Sequence, residues 1–147
     1  SFDEAKFVQL DPNHLLTKIH LDKPAEIKPD KTWLTLGVSS AQEERSFKYN
    51  LEVISEKTLP AESGWLSDIP SRTEYILGLS PKAIKEFTQL QEFMKSASPT
   101  GFDLHVSTGF KESESELNTV TMSIFLKLYA NEDYFTLFDR AALDIEQ

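Results

Sequence analysis

The chain has 147 residues, carries 15 basic against 24 acidic side chains for a net charge of −9, and contains no cysteine. This excludes disulfides, thiolate nucleophiles and cysteine-rich zinc sites together. No Lys/Arg cluster exists that neutralises a run of phosphates, so nucleic acid and anionic membrane surfaces are disfavoured as partners.

Leu, Ile, Val and Phe make up 41 of the 147 residues, well above the ~20% below which chains tend to stay disordered. One domain over residues 1–147 is expected. The first 73 residues carry a net charge of −3 and the remaining 74 carry −6.

Residues 1–12, SFDEAKFVQLDP, hold Phe2, Phe7, Val8 and Leu10 without a sustained period, and read as a leader or a short edge strand. The next run, HLLTKIHLD, puts Leu15, Thr17, Ile19 and Leu21 on one face, with Leu16, Lys18 and His20 on the other. That alternation is the mark of a half-buried strand. KPAEIKPD then breaks the pattern with Pro24 and Pro29,.

TWLTLGVSS (Leu34, Leu36, Val38) and FKYNLEVISE (Phe47, Tyr49, Leu51, Val53) alternate on either side of AQEER, which predicts a hairpin around residues 42–45. After a segment with Pro60, Gly64 and Pro70, TEYILGLS places Tyr75, Leu77 and Leu79 in phase as a fourth strand. LSPKAIKEFTQLQEFMKSASP switches to helical spacing,. Ser80 suits the N-cap and Pro81 the first helical position. Ala83, Phe87, Leu90, Met94 and Ala97 form one stripe, with Ile84 and Phe93 flanking it. A stripe this wide is expected to pack on the domain's own sheet, since each large side chain left in water forgoes roughly 1.5–3 kcal/mol.

FDLHVSTGF and TVTMSIFLKLYA give two more strands, separated by the acidic KESESELN turn. Residues 134–146 fit either a last strand or a helix, because Phe138, Ala141, Ala142 and Ile145 also keep helical spacing,. The expected fold is therefore mostly β: an antiparallel β-sandwich of about seven strands, with one amphipathic helix (residues 81–97) inserted between strands four and five. The runner-up is an α+β open sheet with the helix across one face.

Asp103, His105 and Ser107 share one strand face and are the residue types of a hydrolase triad. However, side chains at i and i+2 stand ~6.5–7 Å apart along a strand, where a triad needs contacts of ~2.6–3.2 Å, and no GxSxG elbow is present. Asp103 and His105 with His14 or His20 would be metal-compatible types, but the spacing supports no metal or cofactor. Glu112, Glu114 and Glu116 lack the alternating Asp/Asn and the central Gly of a calcium loop, and read as a solvated hairpin tip.

The strongest candidate site is TLPAESGWLSDIPS, residues 58–71, a connection longer than typical loops that carries Trp65, Leu66 and Ile69,. Trp65 beside Gly64 offers a flat apolar platform to a ligand or partner, while folding back to plug an end of the sandwich is the favoured alternative.

The expected function is a non-catalytic binding module whose partner is a protein or a small ligand. A hydrolase or metal-dependent enzyme built on Asp103 and His105, and a structural subunit of a larger assembly, are the alternatives. No apolar run reaches the ~18 residues of a membrane span. The strand-rich pattern and a start at Ser1 rather than Met favour an exported protein, periplasmic or lipid-anchored, over a cytoplasmic one.

Overall fold

Alternation at period two builds most of the chain into strand. The computed structural model describes residues 4–112 and 119–144. Its elements are α1 (Glu4–Gln9), β1 (Leu16–Asp22), β2 (Ile27–Ser39), β3 (Glu44–Leu59), β4 (Glu62–Ser63), β5 (Asp68–Ile69), β6 (Arg72–Leu79), α2 (Pro81–Met94), β7 (Gly101–Phe110), β8 (Thr119–Lys127) and β9 (Phe135–Asp144). Seven strands pair antiparallel in one curled sheet of order β7-β2-β3-β6-β1-β8-β9, while β4 and β5 form a separate small hairpin.

The long strand β3 makes the curl. Its first half, through Asn50, pairs with β2, and its second half, from Leu51, pairs with β6. Early in the β6-paired half the register slips from Val53 to Ser55, so Ile54 is an extra residue, and a bulge of this kind bends and twists its strand. The sheet folds over at this corner into a sandwich-like half-barrel,. The mostly β class, the seven antiparallel strands and the helix between the fourth and fifth of them are as expected. The two layers are halves of one continuous sheet.

The apolar faces read from the alternation line the inside: Ile19 and Leu21, Leu34 and Leu36, Tyr49 and Leu51, Tyr75 and Leu77, and Ile124 and Leu126 are all buried. Helix α2 lies against them. The Ser80 hydroxyl accepts a hydrogen bond from the Ala83 N–H at 3.1 Å, and Ala83, Phe87, Leu90 and Met94 are buried. The helix stops at Met94, three residues short of the expected end. The N–H groups of Lys95, Ser96 and Ala97 donate to carbonyls three residues back, a tightened final turn ahead of Pro99.

Two expectations need correction. The edge strand considered within residues 1–12 does not form where the structure describes them. Glu4–Gln9 is a helix, too short to be stable alone, and it is held by tertiary contacts. The Phe7 ring lies 5.3 Å from that of Phe87 and 5.1 Å from that of Phe102, and the buried Gln91 amide donates to the carbonyls of Phe7 (2.9 Å) and Leu10 (2.6 Å).

The break expected at residues 23–30 ends early, because β2 starts at Ile27. Its register then shifts between Lys28 and Trp33, which leaves Pro29 outside the ladder. Residues 135–144 are strand rather than helix, fixed to β8 in spite of two register shifts. Arg140 sits at φ 48 and makes a two-pronged ion pair with Asp22 at 3.0 and 2.9 Å. Glu114 and Glu116 lie outside the described residues.

Candidate functional site

Beyond Leu59 the chain leaves the sheet as a short arm and returns at Arg72. Within it Glu62 pairs with Ile69 and Ser63 with Asp68, and the Gly64 N–H donates to the Ser67 carbonyl at 3.0 Å. Trp65 and Leu66 are thus the central residues of the turn. The root is tied down: Arg72 Nη2 reaches Glu62 Oε2 at 3.1 Å, and the Ser71 hydroxyl donates to the Leu59 carbonyl at 3.2 Å.

The tip is bare. Trp65 is 95% exposed and Leu66 85%, while Ile69 is half-buried. This overturns the favoured alternative in which Trp65 plugs an end of the sheet. The turn carries both side chains outward, and the core closes without them.

The Asp103 and His105 geometry also differs from expectation. Their side chains meet at 2.6 Å, because the pleat fixes the spacing of Cβ atoms, not of side-chain ends. Asp103 lies down over Gly37, its cross-strand neighbour, where any Cβ would collide with Asp103 Oδ1. The absence of a side chain at Gly37 is what lets Asp103 lean toward the imidazole.

Ser107 faces Trp33 across the strand pair, and among the described residues it makes no hydrogen bond to His105. Both members of the dyad are largely exposed, so water screens them, unlike the dry preorganised sites in which such pairs activate a nucleophile.

The other two histidines are elsewhere. His14 sits 3.5 Å from Asp11, and His20 lies 2.8 Å from Glu74 on the outer face of β1 and β6. Among the described residues no three His, Asp or Glu side chains come together as metal ligands. Burial pushes the Glu74 carboxyl up, but the His20 hydrogen bond and the Lys57 ammonium at 3.5 Å outweigh it and hold the group below the ordinary carboxylate range.

A groove that the sequence did not disclose runs beside the first half of β3. Among the described residues this strand is paired on its β2 side only up to Tyr49; the Asn50 carbonyl accepts from the Ser80 N–H at 3.1 Å, and β6 joins from Leu51 onward. Helix α2 flanks the open edge. The groove, of about 580 Å³, is lined by Arg45, Phe47, Lys48, Leu90 and Phe93 among others, and Phe93 is 57% exposed. Arg45 lies over the Phe47 ring at 5.1 Å and Lys48 over the Trp33 ring at 4.5 Å. Neither cation has a carboxylate partner among the described residues. The signal available in the sequence was Phe93 at the margin of the helical stripe, where a side chain is only partly covered.

No protein-family model, curated protein or solved structure shows significant similarity to the chain.

Proposed function

We propose that this protein is a non-catalytic binding module that engages a protein partner by inserting the Trp65–Leu66 tip into an apolar pocket. The observation that carries this reading is a root fixed by hydrogen bonds and an ion pair beneath a tip whose two large apolar side chains stand almost wholly in water. Buried Trp anchors dominate binding energy at many protein interfaces, and a hairpin that already holds its anchors in place lowers the ordering cost of association. A convex tip cannot enclose a small ligand, which needs a concave site burying most of its surface. A protein pocket therefore fits better than a free sugar or metabolite.

The test is a photo-crosslinking residue placed at position 65 or 66, with exposed Lys85 as the control position, in cells that make the protein. Discrete protein adducts at 65 and 66 and none at 85 are expected. Equal labelling at all three positions, or no protein adduct at the tip, refutes the reading.

A further inference from the structure

The tip and the groove lie at opposite ends of the same strand. Lys48 lies in the groove and Leu59 at the arm root, eleven residues further along β3 and beyond the bulge at Ile54. The two surfaces also match in chemistry. Around the tip, Asp68 has no ion pair among the described residues, Glu62 being held by Arg72. In the groove, Arg45 and Lys48 have no carboxylate ion pair among the described residues, while Glu86, the carboxylate in the lining, is paired with Lys82 at 3.7 Å. Beside them, exposed Phe93 offers an apolar surface to the two side chains of the turn.

We propose that the partner is a second copy of this chain, whose Trp65–Leu66 arm seats in the groove between the first half of β3 and α2. The inference rests on the arm being a protein-binding element. Trp65 and Leu66 pack against Phe93, Leu90 and Phe47, and Asp68 meets Arg45 and Lys48. A groove of about 580 Å³ lies within the ~300–1,000 Å³ range of pockets that take groups of this size. Because the donor and acceptor surfaces differ, the contact is heterologous. Copies join head to tail, closing a ring if the rotation allows and otherwise extending as a chain.

Sedimentation of the intact protein tests this in ~0.15 M salt, where charges more than about 8 Å apart are screened. Wild type is expected to show a mass rising with concentration to at least twice the monomer value. The double variant Trp65→Ala/Leu66→Ala and the groove variant Phe93→Glu each remain monomeric. Mixed together they form a dimer and nothing larger, since one supplies a groove and the other an arm. Circular dichroism and melting checks that each variant is folded, and if Phe93→Glu is not, Arg45→Glu/Lys48→Glu takes its place.

A wild type monomeric at every concentration, a single variant that assembles like wild type, or a mixture that stays monomeric overturns the proposal. Tip crosslinks to a different protein, with a monomeric wild type, likewise overturn the second-copy assignment while leaving the binding role of the arm intact.

Discussion

At the residue scale, neighbouring groups decide behaviour that residue type alone leaves open. Glu74 is ringed by His20 and Lys57, and its carboxyl is held below the ordinary carboxylate range. Its contribution to stability is therefore complete above about pH 4.3, the unfolded value for Glu. It is lost as the pH falls through the lower folded value. Glu74→Gln should cost about 1 kcal/mol at neutral pH, and the gap between variant and wild type should close on acidification. Urea midpoints measured from pH 7 down to pH 3 check this; a gap independent of pH would show that the charge is not responsible. The Asp103–His105 contact makes the same point. The two residues were legible as a candidate pair, but their separation depends on a glycine on the neighbouring strand.

At the element scale, the periodicity of a long segment identifies it, whereas a short segment depends on what it touches. Helix α2 has fourteen residues, a Ser80 cap and a wide stripe, all readable from the chain. Helix α1 has six, less than two turns, and no period can declare itself over that length. It is made stable by Phe7 in the core and by Gln91, whose amide is 84 and 81 residues away from the carbonyls it satisfies. Gln91→Leu should leave both carbonyls without that donor and cost about 1–3 kcal/mol. Amide hydrogen exchange should then speed up in residues 6–10 while the central strands keep their protection. Uniform acceleration across the sheet would mean that α1 does not open separately.

At the scale of the whole molecule, the aromatic cluster joins the parts that sequence separates most widely. Phe87 of α2 touches Phe7 of α1 and Tyr49 of β3, and Phe7 in turn stacks on Phe102 of β7. Removing a fully buried Phe ring typically costs 3–5 kcal/mol, a large part of the ~5–15 kcal/mol by which a domain is stable. Phe87→Ala should lower the unfolding free energy by that amount, read as a lower urea midpoint at unchanged slope, and Phe87→Asp should unfold the chain. A folded Phe87→Asp variant would show that α2 is not part of the core.

Local pattern alone sets the strand faces, the helix and its cap, the exclusion of cysteine chemistry and the unusual length of the 58–71 connection. Those properties are local, set by alternation, capping and loop length. Tertiary structure alone decided that the seven strands form one sheet bent at Ile54, that Trp65 stands in water, and that the first half of β3 keeps an open edge beside α2. Each of these depends on which strand pairs with which, and at what register. Those choices are fixed by contacts between residues far apart in the chain, which no local pattern encodes.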